Sequence, residues 1–140
     1  MVLAAGEGRR LAPLSEVRPK PLCPVANRAL LDLAIERVEQ LGLAVAVNLH
    51  HRADQVREHL EQVREAASLH LSEEQPEALG TAGAVANLRS WIDGRDVLVV
   101  NADAWAPTPL DGFVAGWQRD RPAVLTHGTN RNLQQQDLAG

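Results

Sequence analysis

The chain has 140 residues, 45% of them hydrophobic, enough for one globular domain with a core and too apolar for a disordered segment. Its net charge of -4 argues against a nucleic-acid or anionic-membrane partner, since either calls for Lys and Arg gathered on one face. One cysteine, Cys23, excludes an internal disulfide and a multi-cysteine zinc site, and no apolar run approaches the ~18 residues of a membrane span. With no signal-peptide pattern after Met1, these features predict a cytoplasmic protein. Cys23, between Leu22 and Pro24, reads as a packed residue rather than a nucleophile.

Short apolar runs alternate with helical periodicity, the pattern of an α/β domain built on a mainly parallel sheet. Residues 2–5 read as a first strand. Asn27 is the expected N-cap of a helix in which Leu31, Ala34, Ile35, Val38 and Leu41 recur at helical spacing, and Gly42 ends it. Residues 43–49 follow as a buried strand. Ala53, Val56, Leu60, Val63 and Ala67 form the apolar stripe of a second helix. Its outer face, with Asp54, Arg57, Glu58, Glu61, Arg64 and Glu65, reads as a solvated charge run. Residues 68–72 alternate as a third strand, 73–80 are a polar connection, and Gly80 opens a short helix. Val97-Leu-Val-Val100 is the most strand-like run in the chain and ends in Asn101-Ala-Asp103. Residues 111–117 read as a helix and 123–126 as a fifth strand. The domain therefore covers 1–128, with 129–140 as a polar tail and no internal repeat.

All but one of the fourteen basic side chains are arginine, and the single lysine, Lys20, lies between Pro19 and Pro21. Lysine offers a compact point charge where arginine offers a planar fork, so this lysine stands either by chance or where a point charge meets a phosphate, and its neighbours have to decide. The segment it ends begins with Gly6-Glu7-Gly8-Arg9-Arg10, whose glycines let backbone N–H groups curl around phosphate oxygens. Two other phosphate loops do not fit. A dinucleotide fingerprint needs a third glycine where Leu11 stands and a helix at once, which Pro13 opposes; a P-loop needs a Gly-Lys-Ser/Thr that does not follow. Instead Arg9, Arg10, Arg18 and Lys20 enter a loop that Pro13, Pro19, Pro21 and Pro24 keep extended, an arrangement suited to a triphosphate.

Gly80-Thr-Ala-Gly83 puts small residues at a helix start, where a flat base could approach the backbone or where a helix could pack tightly. Asp103 follows a strand end, where α/β sheets place ligands, and is either a Mg²⁺ carboxylate or a loop cap. His50-His51 point apart and lack a third ligand, so a loop hydrogen-bonding role is expected. Trp91, Trp105 and Trp117 are too far apart in sequence for a stacking platform, and Trp105, two residues past Asp103, reads as core or lid packing ahead of a sugar-pocket wall.

Read from Leu3 to Val25, the order Leu-Ala-Ala-Gly-x-Gly-x-Arg-Leu-x-Pro-Leu-Ser-x-x-x-Pro-Lys-Pro-Leu-x-Pro-Val resembles the signature loop of the sugar-1-phosphate nucleotidylyltransferases, the nucleotide-sugar pyrophosphorylases. The ten-residue gap between Arg10 and Lys20 separates it from the molybdopterin cytidylyltransferase type. Ala-Ala-Gly at the loop start, Gly-Thr-Ala-Gly and Asn-Ala-Asp-Ala-Trp are most similar to the N-acetylmuramate 1-phosphate uridylyltransferase-like and mannose-1-phosphate guanylyltransferase-like branch. The resemblance implies a Rossmann-like three-layer α/β domain with a mainly parallel sheet, the N-terminal portion of a glycosyltransferase-A-like nucleotidyltransferase fold. It implies Arg10 and Lys20 as catalytic residues and Asp103 as a Mg²⁺ ligand. Nucleotide binding falls to Leu3, Ala4, Ala5, Gly6, Glu7, Gly8, Arg9, Gly80, Thr81 and Ala82.

The reaction implied is transfer of a nucleoside monophosphate from an NTP, UTP or GTP, to a sugar 1-phosphate, toward a cell-wall or polysaccharide precursor. Homo-oligomerisation is left open. The likeness covers residues 2–126, and family members continue for about a hundred residues more. Those would supply sugar-binding strands and a second metal aspartate, and a second substrate-binding lysine is absent here. The competing reading is a non-catalytic nucleotide- or nucleotide-sugar-binding module on the same fold. A Rossmann dehydrogenase is disfavoured by Leu11, Pro13 and the lack of an acidic residue ending the second strand.

Overall fold

Apolar residues spaced for strands and for helices sort themselves onto two sides of one parallel sheet. The computed structural model describes residues 1–64, 68–104 and 108–118. In chain order the elements are β1 (Val2–Leu3), α1 (Leu14–Val17), β2 (Pro24–Val25), β3 (Arg28–Ala29), α2 (Leu30–Glu39), β4 (Val45–Leu49), α3 (Ala53–Val63), β5 (Leu69–Glu73), α4 (Gly80–Asn87), α5 (Arg89–Ile92), β6 (Val100–Asn101) and α6 (Asp111–Ala115). The sheet order is β5-β4-β1-β6, every pairing parallel, with β2 and β3 forming a separate antiparallel hairpin.

Side chains alternate across a strand, and this alternation divides the core. Val45, Val47 and Leu49 of β4 join Val2, the α2 residues Leu31, Ala34, Ile35 and Val38, and Val56 and Leu60 of α3 in one cluster. Ala46 joins Met1 with Ala84 and Leu88 from the α4–α5 side in a second cluster, against which Leu3 and Trp91 pack. Helices thus cover both faces, the three-layer arrangement expected of a parallel sheet.

Four expectations need correction. Asn27 is not an N-cap: Ala26 (φ 48°) and Asn27 (φ 62°) are consecutive left-handed residues, the geometry of a two-residue hairpin turn between β2 and β3, and Ala29 caps α2. The Pro-rich loop is not simply extended, because it folds into 3-10 turns at Arg9–Leu11 and Lys20–Leu22 around the single turn of α1. The strand-like run enters the sheet only at its end: Val100 and Asn101 pair with Val2 and Leu3, and further back the Met1 amino group donates to the Leu98 carbonyl at 2.7 Å. The stripe of α3 is limited to Ala53, Val56 and Leu60, which pack on the core, while Val63 is exposed.

The charged face of α3 also does more than meet solvent. Arg57 reaches Glu73 of β5 at 2.6 Å, and Arg64, just past α3, reaches Glu39 of α2 at 2.6 Å. Such surface pairs add little stability, about 0–1 kcal/mol each. Ala67 and Glu65, Trp105, the strand expected at 123–126 and the tail from 129 lie outside the described residues.

Ile35 is fully enclosed between α2 and the sheet. Ile35→Ala is expected to lower unfolding free energy by about 2–5 kcal/mol, measured by urea denaturation; a loss below about 1 kcal/mol would contradict this core.

Candidate functional site

Parallel pairing on both sides of β1 sets the site. Val2 lies opposite Val47 and Val100, and Leu3 opposite Asn48 and Asn101. The carboxyl ends of β4, β1 and β6 therefore sit side by side, and the segments leaving them converge, the place where open parallel sheets hold ligands.

A cavity of about 380 Å³ opens there. Its wall includes Leu3, Ala4, Ala5, Gly6, Gly8, Arg9, Arg10 and Lys20 from the long first loop, Gly80 and Thr81 from the start of α4, and Asp103 beyond β6. Eleven of the thirteen residues expected in the site on sequence grounds are thus brought together. Glu7 and Ala82 are outside the wall, as is Arg18 of the cationic set.

The first loop is closed locally. Gly8 adopts φ 64°, and its carbonyl accepts the Leu11 N–H at 2.8 Å to close the turn that holds Arg9 and Arg10. A β-carbon on Gly8 would stand 3.1 Å from the Lys20 β-carbon, so the glycine also makes room for the lysine stem. Gly80, at φ 68°, turns the chain into α4.

Lys20 Nζ donates to Asp103 Oδ2 across 83 residues of chain, and both side chains are partly exposed to the cavity mouth. Arg9 donates to Glu7, and the hydrogen bond and charge of Arg9 hold the Glu7 carboxyl below its ordinary range. Arg10, exposed on the wall, has no side-chain partner among the described residues. The site thus holds one unengaged guanidinium, one ammonium shared with a carboxylate, and a glycine-rich backbone, a set suited to a polyanion.

Beneath the cavity runs a polar relay that sequence reasoning missed. Asn48 Oδ1 accepts the Ala4 N–H at 2.7 Å, Asn48 Nδ2 donates to Glu74 Oε1 at 2.7 Å, and Glu74 Oε2 accepts the Leu79 N–H at 2.7 Å. Both side chains are buried and both line the cavity. A signal existed for Asn48, a lone polar residue in the otherwise apolar strand Val-Ala-Val-Asn-Leu, because a buried polar group requires partners. Glu74 gave none, being one carboxylate among several in a polar connection.

His50 Nδ1 lies 2.9 Å from the Glu74 carbonyl, the loop hydrogen-bonding role expected of it. Cys23 is buried, with its thiol 3.9 Å from the Pro19 carbonyl, the packed role expected there. Among the described residues no three His, Cys, Asp or Glu side chains gather to hold a metal unaided, and no helix is long and apolar enough to cross a membrane.

Comparison with known proteins agrees with this geometry. The profile of the family described as nucleotidyl transferase matches residues 1–133. The chain is 38% identical to the N-acetylmuramate alpha-1-phosphate uridylyltransferase of Caulobacter vibrioides, over 89% of this chain and 54% of that protein. It is 32% identical to the bifunctional protein GlmU of Methanocaldococcus jannaschii, over 81% of this chain and 27% of that one. Among solved structures it is similar to HddC from Yersinia pseudotuberculosis complexed with GMP-PN, with a TM-score of 0.69 and 27% identity, over 81% of this chain and 51% of that chain. The chain spans about half the length of the uridylyltransferase, or less of the other curated relative.

Gly8→Ala imposes a left-handed φ on an L-residue and presses on Lys20, so it is expected to cost about 1–2 kcal/mol in urea denaturation. Gly6→Ala, where an added β-carbon meets nothing within 4 Å, is expected to cost less. Equal effects at both positions would show that the Gly8–Lys20 contact imposes no constraint.

Proposed function

The chain belongs to the nucleotidyl transferase family, and on that premise we propose that it holds an NTP between the first loop and the start of α4 and transfers its nucleoside monophosphate to a sugar 1-phosphate. The observation that carries the proposal is the meeting of Arg10, Lys20 and Asp103 with Gly80 and Thr81 around one cavity at the strand ends. The phosphate loop, within residues 3–20, and the segment proposed for the base, Gly80 and Thr81, lie far apart in the chain yet share one wall.

In the proposed reaction a phosphate oxygen of the sugar attacks the α-phosphorus in line. The new P–O bond forms as the bond to the β-phosphate breaks, and pyrophosphate leaves. No protein nucleophile is needed, so the work of the chain is positioning and charge dispersal. Arg10, without a side-chain partner among the described residues, is assigned to the triphosphate. Lys20 is assigned to the α-phosphate and the incoming sugar phosphate, where a compact ammonium can meet oxygens from two directions.

Asp103 is the proposed Mg²⁺ ligand. What supports it is the donor set: one accessible carboxylate at the cavity mouth, with no all-protein ligand cluster among the described residues, matches an ion that takes one or two carboxylates and completes its shell from substrate phosphates and water. Asp103 would hold such an ion, which would supply charge neutralisation for the departing pyrophosphate. The chain's part is to hold that carboxylate against Lys20, so that cation and metal ligand flank the same phosphates.

UTP and GTP are the nucleotides proposed. Uridylyl transfer is supported by the likeness to the Caulobacter uridylyltransferase, and guanylyl transfer by the likeness to a protein crystallised with GMP-PN. An N-acetylmuramate-type sugar 1-phosphate heads the acceptors, the product being a cell-wall or polysaccharide precursor made in the cytoplasm.

Pyrophosphate release from UTP and GTP with a panel of sugar 1-phosphates and Mg²⁺ is the direct measurement. Lys20→Ala is expected to cut turnover by roughly 10²-fold or more, and Asp103→Asn to raise the Mg²⁺ concentration needed for half-maximal release. Near-normal turnover in Lys20→Ala would overturn the assignment. Saturable NTP binding with no release by the parent chain would instead identify a nucleotide-binding module.

A further inference from the structure

The buried relay is placed between the two segments that the proposed nucleotide would touch. Ala4 belongs to the loop that leaves β1, and Leu79 immediately precedes Gly80 at the start of α4. The bonded chain that links them runs through two side chains, Asn48 and Glu74, 3% and 1% exposed. Asparagine is matched to its place, since one end of its amide must accept from Ala4 and the other must donate to a carboxylate. Glu74 is itself fixed to the end of β4. Its N–H donates to the Leu49 carbonyl at 2.8 Å, and its own carbonyl lies 2.9 Å from His50 Nδ1.

We propose that Asn48 and Glu74 are positioning residues for the nucleotide, which together hold the first loop and the start of α4 at one separation before any nucleotide arrives. This rests on the reading that an NTP spans both segments. Buried away from water, each of the three bonds is costly to leave unmade, and the relay is satisfied only when both segments are in place. The nucleotide then meets a preformed gap instead of having to draw two loops together. The turn that faces the phosphates closes on itself through Leu11 and Gly8 and does not use the relay. Loss of the relay should therefore weaken ligands that span both segments and spare those that touch the phosphate turn alone.

The relay can be rewired without changing its charge. Asn48→Asp alone sets a carboxylate against Glu74, and Glu74→Gln alone leaves one amide end facing a like donor. Combined, they restore every bond with the middle one reversed: the new carboxylate accepts from Ala4 and from the new amide N–H, and the amide oxygen accepts from Leu79. The test titrates UTP and GTP with Mg²⁺, and separately pyrophosphate, into the parent chain and the three variants by calorimetry, with folding checked by circular dichroism. Each single variant is expected to lose roughly tenfold in NTP affinity, the scale of one broken buried hydrogen bond to a charged group, while pyrophosphate binding stays within about threefold and the double variant recovers NTP affinity. Parent-like NTP affinity in folded single variants, equal losses for NTP and pyrophosphate, or no recovery in the double variant would each overturn the proposal. If a single variant does not fold, the double variant decides, and its failure to fold or to bind NTP counts against the relay. Failure of the parent chain to bind either NTP would instead sink the nucleotide reading, leaving that outcome distinct from the others.

Discussion

The site depends on the two-sided pairing of β1. This strand has only two paired residues, yet each is opposite a partner on both flanks, with Asn48 and Asn101 either side of Leu3. Because parallel register is shared across the three strands, the chain leaves them at a common level. The loop after β1, the relay residue in β4 and the carboxylate beyond β6 become neighbours as a result. A slip of one residue would exchange the faces of Asn48 and Leu49, burying the amide among the α2 and α3 side chains and taking the loop's anchor away. The apolar stripe of α2 opposes that slip, since it fits the face made by Val45, Val47 and Leu49.

Charge in the cavity is arranged by contrast rather than by amount. The chain as a whole is acidic, yet the first loop presents Arg9, Arg10 and Lys20 to one cavity. Arg9 and Lys20 each have a carboxylate partner, from Glu7 and Asp103, and Arg10 has none among the described residues. Exposed ion pairs are weak, so an incoming phosphate can replace either carboxylate at small cost. The carboxylates hold the cations ready without committing them, as the proposed binding of one polyanion and release of another would require.

How much of this was legible in the chain differs by kind of signal. The parallel α/β architecture followed from two signals together, the helical spacing of Leu31, Ala34, Ile35 and Val38 and the short apolar run of residues 45–49, buried throughout as a strand inside a parallel sheet is. The residues of the first loop were legible because glycine, proline and the single lysine are conspicuous for individual physical reasons. Asn27 misled, since an asparagine before a helical stripe serves as a cap or as a left-handed turn residue, and the local sequence does not say that a hairpin precedes the helix. The run from Val97 misled in another way, because strand propensity says nothing about whether a neighbour is there to pair. The relay was hidden, as its three bonds join residues 4, 48, 74 and 79, and only the assembled sheet brings them within reach.

The closeness of Gly8 to Lys20 carries a consequence for how the lysine is made ready. Its stem lies against the glycine backbone, with a hypothetical β-carbon only 3.1 Å away, and its tip is tied to Asp103. A lysine side chain loses about 1.5–2 kcal/mol of rotamer freedom when ordered. Here the contact of the stem with Gly8 and the tie to Asp103 take away part of that freedom in the folded chain, so the ammonium is confined near the cavity before any anion arrives.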